Sequence, residues 1–382
     1  MRIHGKKEQK RLKKRYLMKK FNICFLGDYD KNYIRNDVLL SGLSNIGHTI
    51  TECHTAKNGM ARIFDLYKKY RCVKNVDILY VATSDTSRAL VIFFSIISRK
   101  PIVWDAFYSL YDSWVFDRGL VSKFSIKALY YWILEYSACK MADIIVLDTY
   151  EHIAYFERVF GVSDKRCIRV LVGAHREKLE QSLSAHKQLQ VQLKERFEGK
   201  RVVYFHGKFI PLQGVEYIVR AAEILKDDQN IIFVIVGKGQ TYDMVREQVS
   251  TLQLDNIYFE GRVPYEYLSS YIAVADLCLG IFGDTDKATR VIPSKIYEYA
   301  AVGAPILTAD TIAIREIFNE EDLFLCNRCD SQSLANAIKS SLDDTLMLRT
   351  KASKSHRVFT SCAETDIIAR TLTNDLKQKL YD

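Results

Sequence analysis

Two stretches of this chain place charged side chains where a phosphate or a sugar hydroxyl could meet them. One is Arg290-Val-Ile-Pro-Ser294-Lys295-Ile-Tyr-Glu298-Tyr-Ala-Ala-Val-Gly303-Ala-Pro305. Ser294 reads as an N-cap, and Gly303 followed by Pro305 reads as a stop, so a helix of about nine residues is expected. Its amino end would offer free N–H groups and a partial positive charge, a seat for phosphate. Lys295 adds a full charge at the same place. Glu298 follows one turn later. A carboxylate there can accept two hydrogen bonds from a vicinal diol such as a ribose, and bonds to a charged group contribute about 1.5–3 kcal/mol each. The other reading is a short surface helix with a solvated Glu298.

The second stretch is Phe205-His206-Gly207-Lys208-Phe-Ile-Pro-Leu-Gln213-Gly214-Val-Glu216. A strand ends, glycines let the backbone approach a ligand, and Lys208 can neutralise a phosphate. An ordinary strand-to-helix loop would look the same, and His206 could bind or merely pack. Val236-Gly237-Lys238-Gly239 also follows a strand. It lacks the third glycine and the later acid of a dinucleotide site, so a sugar-facing or phosphate-facing loop is the reading kept. In the first half, Trp104-Asp105-Ala-Phe-Tyr-Ser-Leu-Tyr-Asp112-Ser-Trp-Val-Phe-Asp117-Arg118 interleaves carboxylates with aromatic rings. Rings stack on sugar C–H faces and acids take hydroxyls. Asp105, placed directly after a strand, is the expected functional acid, whereas Asp112 also reads as a cap on an aromatic core helix.

The elements that must position these residues follow from hydrophobic patterning. Strands are expected at 21–26, from 50, and at 78–81, 102–104 and 144–147. A second series is expected at 202–205, 231–236, 257–259, 277–281 and 306–307. The runs are continuous and β-branched, as in parallel sheets buried on both faces, and helical stretches lie between them. Such alternation implies right-handed crossovers and doubly wound sheets, with ligands outside the carboxyl ends of the strands. Residues 176–200 are polar and helical in pattern and read as the inter-domain connection. The expected organisation is a basic tail over 1–20, a first domain over 21–185, a second over 186–360, and a C-terminal helix over 361–382 that can cross back to the first.

With 382 residues, 48% hydrophobic and 26% charged, the chain is an ordinary globular one of two domains. The formal charge of +9 resides in residues 1–20, which hold ten basic side chains and one acid, so the remaining residues are balanced. A nucleic-acid partner is therefore not expected. Three readings of the basic run stand: a solvated disordered start, a start site that truly lies at Met18, or attraction to an anionic membrane surface. No apolar run is long enough to cross a membrane. Nine scattered cysteines with a lone Cys326-Asn-Arg-Cys329 fit a reducing cytoplasm and no structural zinc.

Over about 200–345 the chain resembles the retaining, nucleotide-sugar-dependent glycosyltransferases of family 4. Gly207-Lys208…Gln213-Gly214-Val215, Val236-Gly237-Lys238-Gly239, Phe259-Glu260-Gly261-Arg262-Val263 and Lys295-Ile-Tyr-Glu298-Tyr-Ala-Ala-Val-Gly303-Ala-Pro305 occur in the family's order. The first half matches more loosely, through Gly27 and Asn45-Ile-Gly47-His48-Thr-Ile. The resemblance implies an α/β GT-B fold of two facing Rossmann-like, doubly wound domains. It implies transfer of a sugar from a nucleoside diphosphate sugar to a saccharide or lipid-linked saccharide acceptor, with retention, in cell-surface glycan synthesis. Lys208 would contact the donor diphosphate, Val263 would hold the base through its backbone, the helix from Ser294 would receive the phosphates, and Glu298 would bind ribose. Gly27, Gly207, Gln213, Gly237 and Arg290 complete the expected donor-binding set. Catalysis is expected from Asp105, Lys208 and Lys295, and the acceptor side from Asp112, Asp117 and Arg118. No metal or other cofactor is required. Two departures stand out: the family's usual Lys is here Gln213, and its usual first Glu is here Arg290. They leave open a non-catalytic partner subunit of an active transferase.

Overall fold

The computed structural model describes residues 20–381, so the basic run, apart from Lys20, lies outside the described residues. The chain divides into two compact units. One comprises residues up to Tyr111 together with Val121–Leu171 and the segment from Thr365, and the other comprises Asp112–Leu120 and Val172–Glu364.

The first unit is built on six parallel strands, β1 (Asn22–Gly27), β2 (Thr49–His54), β3 (Ile78–Val81), β4 (Ile102–Phe107), β5 (Ile144–Leu147) and β6 (Cys167–Arg169), in the order β2-β1-β3-β4-β5-β6. The second repeats the plan with β7 (Arg201–His206), β8 (Ile231–Val236), β9 (Ile257–Gly261), β10 (Leu277–Leu279), β11 (Ile306–Ala309) and β12 (Phe324–Cys326), in the order β12-β11-β10-β7-β8-β9. Runs such as Ile231-Ile-Phe-Val-Ile-Val236 are buried at every position because helices cover both faces of the sheet. The register sets Phe205 of β7 beside Ile235 of β8, and both join the core that the helix Val215–Ile224 covers with Ile218, Ala221 and Ala222. In each sheet the chain winds outward in one direction and then returns to wind in the other. The reversals fall between β1 and β3 and between β7 and β10.

The expected inner strands are present. β6 and β12 escape sequence reading because a three-residue edge strand carries too little periodicity to register. Residues 176–200 are not a bare connection. They form the helices Arg176–Ala185 and Lys187–Arg196, which pack on the helix Tyr265–Val274 within the second unit. The last helix, Thr365–Tyr381, lies in the first unit against the helix Ile34–Asn45, where a side chain at Gly42 would collide with the Thr365 carbonyl.

Asp105 requires a correction. β4 runs on to Phe107, so Asp105 lies inside a central strand rather than in the loop beyond it. It is wholly buried and takes the Arg35 guanidinium on both oxygens, from Nε at 2.9 Å to each. Arg35 is itself wholly buried, and its Nη1 donates to the Val170 carbonyl at 2.9 Å. Burial pushes the Asp105 carboxyl up and Arg35 opposes it. The pair pins the helix Ile34–Asn45 to β4 and to the chain beyond β6, and no face of Asp105 is left for a substrate. Asp105→Ala should therefore cost about 3–5 kcal/mol in urea unfolding, because it strands a buried guanidinium. A loss under 1 kcal/mol would remove this structural role.

Candidate functional site

In the second sheet the chain reverses direction between β7 and β10, and folds of this kind bind ligands outside the carboxyl ends of the strands at such a point. Two segments over eighty residues apart in sequence meet there. β7 ends at His206, and Gly207, Lys208 and the short 3₁₀ turn Pro211–Gln213 follow. The helix Ser294–Val302 comes after β10 and runs back along the sheet, so its amino end lies at the same edge. It has the nine residues expected and stops at Gly303, whose φ of 79° is left-handed. The cap differs from expectation. Pro293 occupies the N-cap and Ser294 is the first helical residue, so no side chain caps the first turn. Proline sets the entry angle but has no side-chain acceptor, which leaves that end to other partners.

Lys295 does not point out from this end. It is buried and reaches inward, its Nζ donating to Gln213 Oε1 at 2.5 Å and lying 3.6 Å from the centre of the Phe205 ring. The same Nζ would be 2.9 Å from a Cβ at Gly207, so Gly207 makes room for the lysine. Burial pulls the Lys295 ammonium well below the usual lysine range, and the Glu298 charge offsets this only in part. The amide oxygen of Gln213 thus receives the Lys295 side chain.

Glu298 lies one turn further along, also buried, and its Oε2 is 2.8 Å from His206 Nε2. His206 is held edge-on to the Tyr299 ring, 5.1 Å between centres, and its Nδ1 is buried without a partner. Sequence reading left His206 undecided. Ninety-two residues separate it from Glu298, and only the sheet order makes them neighbours. Lys208 is exposed on the loop after β7. Gly237 has φ of 136°, and a Cβ there would lie 1.9 Å from the Gly207 carbonyl, so this glycine serves the approach of two loops. Gly237 N–H donates to the Gly261 carbonyl at 2.6 Å, which carries the chain to the half-buried Val263 two residues past β9. The structure therefore gathers Gly207, Gln213, Gly237, Ser294, Lys295 and Glu298 around one edge of one sheet. Gly27 ends β1 in the other unit, next to the reversal of that sheet.

Arg290 and the acids of 112–118 behave otherwise than expected. Asp112–Asp117 forms a π-helical turn that packs on the 3₁₀ turn Asp286–Thr289 within the second unit. Arg290 Nη2 donates to Asp112 Oδ2 at 2.9 Å, both residues are buried, and Nη1 reaches Asp286. Thr285 donates its hydroxyl to Asp117 at 3.1 Å, and Lys287 Nζ donates to Ser113 at 2.6 Å and stands 3.9 Å from Asp117. Burial pushes the Asp117 carboxyl up, against the Lys287 charge. The Arg118 carbonyl takes the Gln240 amide at 2.9 Å. Arg290 is thus neutralised by carboxylates rather than turned to a diphosphate. Asp112 and Asp117 hold one surface segment to another instead of presenting oxygens to an acceptor. Alternating charges around residue 286 were the available signal, but the spacing of over 170 residues concealed the pairing.

Residues 186–358 match the family Glycosyl transferases group 1. A stretch of 116 residues, 29% of the chain, is 31% identical to the probable glycosyltransferase WbjE of Pseudomonas aeruginosa. That stretch is 27% of WbjE, and the chain matches less than two fifths of the length of the other curated relatives. The crystal structure of Anabaena Alr3699/HepE in complex with UDP-glucose superposes with a TM-score of 0.72 at 16% identity, over 94% of this chain and 100% of that one. Sucrose-phosphate synthase from Thermosynechococcus elongatus gives 0.73 at 15%, over 94% and 99%. The fold is thus the two-domain α/β fold of GT-B glycosyltransferases, and the second unit carries the group 1 pattern.

The buried lysine makes a prediction about stability. A lysine held below its ordinary value binds its proton more weakly in the folded chain than in the unfolded one. Its contribution to stability therefore rises with pH, from the folded value up to the ordinary lysine value. Lys295→Met should flatten that rise in urea unfolding between neutral pH and about pH 9. An unchanged slope would place the Lys295 ammonium in solvent.

Proposed function

We propose that this protein transfers a sugar from a nucleoside diphosphate sugar to a saccharide or lipid-linked saccharide acceptor, with retention at the anomeric carbon, in cell-surface glycan synthesis. The observation that carries the reading is the convergence of Lys295 on Gln213 and of Glu298 on His206 beside the uncapped end of the helix Ser294–Val302. The family match covers the segment that supplies these residues.

In this reading the bond that breaks joins the anomeric carbon to the terminal phosphate oxygen. The departing diphosphate gains negative charge as the acceptor hydroxyl replaces it, and the hydroxyl's proton passes to the leaving phosphate oxygen. Lys208, exposed on its loop, meets that charge directly, and the helix end adds its N–H groups and dipole. Lys295 acts from beneath through its charge, and arrival of a polyanion favours its protonated form. Charges fixed before the reaction begins are usually the largest catalytic contribution. The Oε1 atom of Glu298 is left for a ribose hydroxyl, while Oε2 is oriented by His206. Val263 holds the base through its backbone. The scheme asks for no metal or other cofactor.

The locked Arg290–Asp112 pair supports a second reading, a non-catalytic partner subunit that binds a nucleotide without turning it over.

Thermal-shift titration with UDP, GDP and ADP sugars, followed by a turnover assay with a broad set of acceptors, separates these readings. A nucleotide at about 100 times its Kd stabilises by ~2.7 kcal/mol. Glu298→Ala should weaken binding of the accepted nucleotide at least about tenfold, the loss of one hydrogen bond to a charged group. Glu298→Gln keeps an acceptor for His206 and controls for local damage. Unaltered affinity in both variants removes the ribose assignment. No shift with any nucleotide removes the transfer reading, and binding without turnover favours the partner subunit.

A further inference from the structure

The helix Ile126–Met141 in the first unit is built inside out. The side it turns to the core carries Ala128, Glu135, Ala138 and Cys139. The side it turns to solvent carries Ile126, Leu129, Tyr130 and Ile133, at the three- and four-residue spacing of one helical stripe. Phe124, in the turn before the helix, extends the stripe. Phe124 is 89% exposed and Ile126 88%, about as open as a side chain in a folded protein can be. A helix on an ordinary water-facing surface shows the reverse pattern.

The inner side explains how such a helix stays in place. The Glu135 carboxylate takes Arg88 at 3.0 Å, the Ser109 hydroxyl at 2.7 Å, and the N–H groups of Leu110 and Tyr111 at 3.1 and 3.0 Å. Its anchorage combines this buried carboxylate with an apolar contact, since Ala138 and Cys139 join the core of the unit and Trp132 packs against it. Phe124 and Ile126 take almost no part in that anchorage, being nearly fully exposed. Glu135 is also the one acid between Val121 and Met141, so every charge the segment turns outward is positive: Lys123, Lys127 and Lys140. Lys123 Nζ stands 5.0 Å from the Phe124 ring centre and Lys140 Nζ 5.1 Å from that of Tyr136.

We propose that this face docks on a lipid bilayer containing anionic lipid, with Phe124, Ile126, Leu129 and Ile133 in the acyl boundary and the lysines among the phosphates. Apolar and aromatic side chains flanked by lysine match that boundary, where one layer takes the hydrocarbon and the next takes the cations. A second copy of the chain fits worse, because a two-fold contact through one patch sets Lys123 and Lys127 close to their own images. The helix lies on the surface and does not span it: no described helix is long and apolar enough to cross a membrane. The proposal does not depend on the transfer reading, and a lipid-linked acceptor would be met at such a surface.

Flotation of the full chain with vesicles of phosphatidylcholine, alone or mixed with phosphatidylglycerol, tests it. Melting temperature and sedimentation velocity are measured in parallel. The wild type should float with the mixed vesicles. The double variant Phe124→Ser, Ile126→Ser should lose about tenfold or more of its partitioning while melting at the wild-type temperature, since both side chains are solvent-exposed. The double variant Lys123→Gln, Lys127→Gln should bind more weakly and with less dependence on salt. Full binding by the Phe124/Ile126 variant overturns the proposal and makes the basic run of residues 1–20 the anchor. No flotation of the wild type overturns it too. Wild-type dimers that the Phe124/Ile126 variant dissociates, without vesicle binding, make a second copy the occupant.

Discussion

A lysine buried without a carboxylate within bonding distance organises the second unit. Taking an ammonium out of water is costly, and among the described residues Lys295 Nζ touches the Gln213 oxygen and the Phe205 ring, with the Glu298 charge one turn away. Several features follow. Position 207 has no side chain because the ammonium occupies that space. The 3₁₀ turn Pro211–Gln213 is held to the helix Ser294–Val302, so the loop after β7 and the helix after β10 share one geometry. Glu298, on the next turn, is brought against His206. The lysine side chain is thus fixed in position by its own packing, and a negative charge brought near it would favour its protonated form.

The two units handle charge differently. In the first, Arg35 with Asp105 and Arg88 with Glu135 are fully buried pairs, each with further hydrogen bonds to the backbone, Arg35 to the Val170 carbonyl and Glu135 from the Leu110 N–H. Such pairs add little net stability over apolar replacements but are expensive to break, so they specify which elements lie together. In the second, Arg290 with Asp112 is likewise a buried pair, but charges at the carboxyl edge of the sheet are partly unmatched among the described residues. Lys295 has an amide for a partner, and His206 Nδ1 has none. Asp105 in the first unit and Asp112 and Asp117 in the second are all held by buried or half-buried cations, so these acids act as structural members despite lying among aromatic rings that suit a sugar.

Much of the fold was legible in the linear chain. Ile231–Val236 and Ile78–Val81 are continuous apolar runs, and a run buried on both faces carries its own signature. The helix Ser294–Val302 announced its stop through Gly303, a left-handed position that glycine fills without strain. The short edge strands β6 and β12 were silent, since three residues cannot establish a period. Asp105 was misplaced by the length of β4: three additional residues turned a loop acid into a core acid.

The sequence alone determined what depends on near neighbours: strand and helix alternation, the nine-residue helix, and the presence of Lys208, Lys295 and Glu298 beside strand ends. Tertiary structure decided what depends on which strands lie side by side. Strand order set His206 against Glu298 and Gln213 against Lys295, and paired Arg290 with Asp112 at a separation of 178 residues. It also decided that the helix Ile126–Met141 would face solvent with its apolar stripe, because Glu135 had found Arg88 on the other side. Local propensity acts over a few residues, whereas the partner of a charge is chosen by the packing of the whole sheet. The roles of charged groups therefore stayed hidden until the chain was folded.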